Sequence, residues 1–132
     1  MPQFSTFVGI DVDKFTLAIF VEPTSTYFEL PNNSNGHQKL VARLSKITRN
    51  RDHLLIAVEP TGGHEWAIWQ TLDEAGFHVR QVPAAHIRHF ARSQSTLAKT
   101  DPLDARSIAR FIAFRPDAGR NLPDKPLEIS ML

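Results

Sequence analysis

Residues Leu54-Leu55-Ile56-Ala57-Val58 form an unbroken apolar run that ends at a carboxylate, Glu59. A strand with one wet face alternates apolar and polar residues. A run apolar at every position asks for cover on both faces, as a parallel strand receives between two layers of helices. That requirement places the chain among α/β folds and assigns a strand to His53–Val58. Upstream, Phe4–Ile10 is predicted as a first strand, ending at Asp11, and the turn Asp11-Val12-Asp13-Lys14 follows. In Phe15–Glu22 the residues Phe15, Leu17, Ile19 and Val21 alternate with smaller or polar ones, which predicts a second strand. Pro23-Thr24-Ser25 turns the chain into a third, Thr26–Leu30, and short turns make the three an antiparallel meander.

The stretch 31–36 (PNNSNG) breaks the sheet and supplies helix caps. Leu40, Val41, Leu44 and Ile47 then recur at helical spacing. After Glu59-Pro60-Thr61-Gly62-Gly63, a helix through Trp66, Trp69 and Leu72 stops at Gly76, and Phe77–Val82 is a fifth strand. A basic helix spans 84–93, and a last helix runs from Pro102 to about Phe114. The order β-β-β-α-β-α-β-α-α is that of ribonuclease-H-like folds: a mixed sheet of three antiparallel strands followed by two parallel ones, flanked by helices. Right-handed crossovers lay the fourth strand beside the first. Asp11 and Glu59 then stand at the carboxyl ends of adjacent parallel strands, where open α/β sheets place their sites. Residues 1–115 are read as one domain. Residues 116–132, with Pro116, Gly119, Pro123 and Pro126 and no periodicity, are read as a tail or linker.

Composition narrows the chemistry. The 132 residues include no cysteine, which excludes a disulfide scaffold, a thiolate zinc site and a cysteine nucleophile. No signal peptide or membrane-length apolar run is present, so the expectation is a cytoplasmic protein without a membrane partner. The net charge is only +1, but residues 76–115 hold Arg80, Arg88, Arg92, Lys99, Arg106, Arg110 and Arg115 against Asp101 and Asp104 alone. A basic segment around two acids suits a site that approaches a polyanion while holding a cation. A solvated helix face has the same composition.

Four acids carry the site expectation, and each has an ordinary structural alternative. Asp11 and Asp13 lie where Asp commonly makes turns, and Asp13 is read as turn chemistry. Glu59 sits at the lip of the core, where a lone charge is costly unless compensated; pairing with an arginine would compensate it. Asp101 as an N-cap, Pro102 at the first helical position and Asp104 in the first turn satisfy helix-start rules, and a spacing of three would put both carboxylates on one face of that helix end. Carboxylates brought together repel and raise one another's pKa. Hard divalent cations relieve this, and two such ions about 4 Å apart can serve phosphodiester chemistry.

The blocks Gly9-Ile10-Asp11-Val12-Asp13-Lys14, Glu59-Pro60-Thr61-Gly62-Gly63, Val82-Pro83 through Phe90-Ala91, and Ala98-Lys99-Thr100-Asp101-Pro102-Leu103-Asp104-Ala105 resemble, in this order, the N-terminal domain of the DEDD transposases related to the Piv and MooV recombinases of one large insertion-sequence family. The resemblance implies a RuvC-like domain in which Asp11, Glu59, Asp101 and Asp104 are the catalytic, metal-binding tetrad, with magnesium or manganese as cofactor. It implies DNA strand cleavage and exchange, an element-encoded guide RNA as a further partner, and a homo-oligomer for the full-length protein. By the same analogy Arg88, Arg92, Lys99, Arg106 and Arg110 contact nucleic-acid phosphates. Pro60 and His64 depart from the Ala and aromatic expected in the second block. Family members continue into a helical linker and a C-terminal domain carrying a nucleophilic serine. This sequence ends at Leu132, so a fragment or truncated reading frame, inactive alone, is the expectation.

Three other readings compete. Actin-like kinases also open on Gly-Ile-Asp, but need a Gly-Thr pair for phosphate approach where Asp13-Lys14 stand here. A junction-resolvase nuclease would share the four acids. A non-catalytic nucleic-acid-binding or oligomerisation module would bind without acids or metal. His64 and the other histidines (His37, His53, His78, His86, His89) show no convincing ligand spacing, and Trp66 and Trp69 are read as core.

Overall fold

The apolar run becomes the middle of a five-stranded sheet. The computed structural model describes residues 3–94 and 103–123. Its strands are β1 (Thr6–Val12), β2 (Thr16–Glu22), β3 (Thr26–Pro31), β4 (Leu54–Val58) and β5 (His78–Gln81), and its helices are α1 (Ser34–Ile47), α2 (Trp66–Glu74), α3 (Ala84–Ser93) and α4 (Ala105–Phe114). The sheet order is β3-β2-β1-β4-β5. β1, β2 and β3 pair antiparallel, whereas β4 pairs parallel with both β1 and β5. This is the mixed sheet expected of a ribonuclease-H-like fold.

All five residues of β4 are fully buried. Their side chains alternate between two cores, as the pleat requires. Leu54, Ile56 and Val58 join Leu40, Leu44, Ile68, Trp69 and Leu72 beneath α1 and α2. Leu55 and Ala57 face the opposite way, with Ile87 of α3 and Ile108, Phe111 and Ile112 of α4. Trp69 is fully buried and stacks on Trp66, with ring centroids 5.1 Å apart, so both rings belong to the core as expected.

α1 begins at Ser34, a full turn and more before its first buried apolar side chain, Leu40. Asn33 makes that early start possible: its backbone is extended, and its side-chain oxygen accepts the Gly36 N–H at 2.8 Å. Such a cap satisfies one of the helix's orphan donors. Asn33→Ala is therefore expected to cost about 1 kcal/mol of stability, read from a urea midpoint at unchanged m-value.

Two boundaries differ from expectation, and both bear on the site. β1 runs through Asp11 to Val12 instead of ending at Ile10, because Asp11 and Val12 still pair with Ala18 and Leu17 across the hairpin. The last helix begins at Ala105, not at Pro102. Asp104 is its N-cap rather than a first-turn residue, with φ −129° and ψ 173°, and its side chain accepts the Ser107 N–H at 2.8 Å. Asp104 thus fills the capping role expected of Asp101, and the helical spacing that would pair the two carboxylates does not apply to it.

The segment after α4 is irregular, yet it is pinned to the sheet. Arg120 and Gln81 exchange two backbone hydrogen bonds, of 2.9 and 3.0 Å, which makes residue 120 an antiparallel neighbour of β5. The Arg80 guanidinium donates to the carbonyls of Pro116 and Ala118 at 3.2 Å.

Candidate metal and nucleic-acid site

Parallel register sets the site's centre. Ile10 stands opposite Val58, so Asp11 and Glu59 are the next residues on neighbouring strands at the carboxyl edge of the sheet. Strands lie about 4.8 Å apart. By alternation from Leu55 and Ala57, and from Phe7 and Gly9, both acids face the α3–α4 side.

α4 delivers the third acid. Gly9 of β1 carries no side chain, and α4 crosses there at near backbone contact. A Cβ on Gly9 would lie 2.2 Å from the Ala105 carbonyl oxygen and 2.4 Å from the Ala109 nitrogen. That crossing brings the helix N-terminus, capped by Asp104, over the end of β1 two residues from Gly9. Leu103, nearly buried in the core under α3 and α4, anchors the approach.

Asp11 and Glu59 are both perturbed by neighbouring charge. Asp11 is half-buried, and its pKa is raised first by that burial, then by the charges of Asp104 and Asp13. The Glu59 pKa is also raised, first by burial, then by Asp11 and more weakly by Glu65, while the Arg88 guanidinium on α3 pulls it down. A raised carboxylate binds protons more tightly in the folded chain than in the unfolded one. The contribution of these two groups to stability therefore falls as pH rises through the ordinary carboxylate range and up to the elevated pKa values of Asp11 and Glu59. Relative to Asp11→Asn, the native chain in metal-free buffer is predicted to lose melting temperature over that window, and saturating manganese should abolish the relative loss; thermal melts of both at stepped pH check this.

Asp101 and Lys99 lie outside the described residues. The other basic candidates do different things. Arg88 is half-buried and faces Glu59, and Arg92 is exposed on the last turn of α3. Arg106 is exposed in the first turn of α4, its guanidinium 5.9 Å from the Phe20 ring. Arg110 lies away from the acids, near the amino end of β1, where it pairs with Glu22 at 3.8 Å beside a cleft of about 490 Å³. Asp13 forms a turn, accepting the Lys14 N–H at 2.8 Å. His64 is exposed, and its carbonyl accepts from Asn32.

Sequence reasoning missed three residues here. Glu29 stands in one row with Ala18 and Asp11 across β3, β2 and β1, so it shares their face. Tyr27, hydrogen-bonded to Glu29 on the same strand, has its hydroxyl pKa raised first by that bond and also by the charges of Asp11 and Asp104. Strand alternation was the signal that could have found both. Glu65 is 2% exposed. One of its oxygens accepts three hydrogen bonds of 3.1 Å, from the Thr61 N–H, the Thr61 hydroxyl and the Gly63 N–H. Its other oxygen accepts from the Gln81 amide at 2.8 Å. Only the Gly62-Gly63 pair hinted at it: both glycines have positive φ, 74° and 102°, a conformation that L side chains rarely adopt.

As donors, carboxylate oxygens suit a hard divalent cation, and their mutual repulsion is the cost that a cation would relieve. Among the described residues no three His, Asp or Glu side chains group closely enough to hold an ion.

The family comparison places the chain as a whole. The DEDD transposase model of the IS110 insertion-sequence family, described as a transposase, matches residues 8–132. The chain belongs to the DEDD transposase family. Membership covers both structural halves: the meander with Asp11 and the β-α portion with Glu59 and Asp104. A search of curated proteins gave no match for this transposase-family chain. Among the described residues no helix is long and apolar enough to cross a membrane.

Proposed function

We propose that residues 1–115 form the catalytic domain of the transposase, with Asp11, Glu59 and Asp104, together with Asp101, as ligands for magnesium or manganese. The observation that carries this reading is the placement of Asp11, Glu59 and the Asp104 cap at one edge of the sheet, where the charge of Asp104 raises the Asp11 pKa and that of Asp11 raises the Glu59 pKa. A charged cluster of this kind opposes folding unless it is put to use, and perturbed groups of this sort concentrate at functional sites. A divalent ion bound there would activate an attacking oxygen and stabilise a leaving one in phosphodiester transfer. Asp11 is fixed by its pairing with Ala18 across the hairpin, and Glu59 directly follows Val58, the last residue of β4. Asp104 is held by its own cap bond. Arg88 offsets part of the Glu59 charge. Arg106 and Arg92, exposed on the same side, would meet DNA phosphates, with Lys99 between the two helices in sequence. Guide RNA, assembly into oligomers and a cytoplasmic location belong to this proposal through the family alone.

A second reading, a nucleic-acid-binding module without metal, has one observation in its favour: the described acids do not by themselves enclose an ion. The two differ in one experiment. Binding of a short branched DNA is measured with and without manganese for the native chain and for Asp104→Asn. Asn caps helices as well as Asp does, so α4 keeps its start while the charge is lost. The catalytic reading predicts that manganese tightens DNA binding by the native chain at least about tenfold and has no effect on the variant. Equal, metal-independent binding by both would favour the module.

A further inference from the structure

Glu65 is the most deeply buried carboxylate among the described residues, and neither the metal reading nor the core uses it. A charge at that depth is tolerated only when its lone pairs are filled. The four bonds it accepts come from the loop that follows Glu59 and from β5. The chain continues beyond them. Gln81 donates through its amide nitrogen to Glu65, so its amide oxygen points away and accepts from Arg120 Nε at 2.8 Å. The Arg120 guanidinium also lies 5.7 Å from the Trp69 ring. Donation therefore converges on Glu65, from Arg120 through Gln81 on one side and from the Thr61 and Gly63 groups on the other. Reversing the Gln81 amide would set nitrogen against Arg120 and oxygen against carboxylate.

The placement gives this chain of bonds a use. Glu59 is the last position of its strand line, and beyond it Pro60 and two positive-φ glycines leave the loop with few packing contacts: a Cβ on Gly62 would meet nothing within 4 Å. Glu65 supplies three of the hydrogen bonds that hold the loop, beside those that the Gly63 and His64 carbonyls accept from the Trp66 N–H and Asn32. We propose that Glu65 is a positioning residue for Glu59, and that Arg120, through Gln81, is its remote anchor on the segment that leaves α4. The proposal rests on the metal reading of Glu59. Displacement of the chain around residue 120 would slacken the loop and loosen the Glu59 carboxylate.

Two variants of the full chain test it. Arg120→Ala removes the anchor and leaves Glu65 and Gln81 in place. Glu65→Gln keeps the loop's acceptor oxygen but presents an NH₂ to Gln81, which must turn over and release Arg120. Amide exchange is followed at Thr61 and Gly63, with Val8 and Ile56 as sheet controls, and manganese affinity is measured by calorimetry. The expected result in both variants is exchange at Thr61 and Gly63 faster by about tenfold, unchanged controls, and manganese binding weaker by about tenfold, the scale of outer-sphere ligand support. Exchange unchanged at those two amides overturns the proposal. So does unchanged manganese affinity if Glu59→Gln abolishes uptake. If Glu59→Gln leaves uptake intact, the metal reading fails instead, and the exchange rates alone decide whether Glu65 and Arg120 hold the loop.

Discussion

Gly9→Ala should be among the most damaging single substitutions in this protein. The added methyl would sit 2.2 Å from one backbone atom of α4 and 2.4 Å from another, and neither belongs to a flexible side chain that can swing aside. The helix must lift or slide along the sheet. It packs there with Ile108, Ile112 and Phe111 buried beneath it, so moving it opens gaps in one core while filling another. Overpacking a well-filled core costs about 1–3 kcal/mol, and contact with backbone puts this case at or above the upper end. A drop in melting temperature on the order of 10 °C follows for a domain of this size. The consequence reaches the site, because the same crossing carries Asp104 to the end of β1. A variant that survives folding should also bind divalent metal poorly. Native-like melting and native metal affinity in Gly9→Ala would mean that the α4–β1 contact is not what places the acids.

Asp11→Asn should move stability and metal binding in opposite directions. In the metal-free chain the Asp11 carboxylate is half-buried against Asp104 and Asp13, and its raised pKa marks a charge that the fold resists. Removing the charge relieves that cost at neutral pH, so the metal-free variant should melt higher than the native chain. The gain should vanish at a pH below the ordinary carboxylate range, where the native Asp11 is protonated in the folded and unfolded states alike. Manganese should then stabilise the native chain and leave the variant unmoved. Loss of an outer-sphere partner typically weakens metal binding 10–100-fold; loss of a direct ligand should reach at least about 100-fold. Thermal melts of both proteins with and without manganese, at neutral and acid pH, read all four corners of this prediction.

The sheet was legible because its signals are periodic. The unbroken apolar run Leu54–Val58 is buried throughout, and Leu17, Ile19 and Val21 of the alternation read in Phe15–Glu22 are buried as expected. Phe15, by contrast, is exposed ahead of β2, and Phe20 is buried on the opposite face. Adjacency of Asp11 and Glu59 followed from the strand order alone. Helix α4 was misjudged at its start because Pro102 and Asp104 both suit a helix beginning. Cap geometry, with an extended backbone at Asp104, decided between them. Glu65 was invisible for a different reason. Its importance comes from Gln81 and Arg120, 16 and 55 positions away, and no local pattern carries that information. The residues after α4 read as a tail since they lack periodicity, yet an irregular segment can still be held through its backbone, as residue 120 is. Glu29 and Tyr27 were available from strand alternation, but only once β3 was known to extend the face that bears Asp11.

The central claim is that the acids at the carboxyl edge of the sheet act together on a divalent cation. Calorimetric titration of manganese into the native chain and into Asp11→Asn, each with and without a short branched DNA, tests it most directly. The account predicts saturable uptake by the native chain, tightened by the DNA, and none by the variant under either condition. Uptake that is equal in the two proteins, or absent from both even with DNA bound, would contradict it.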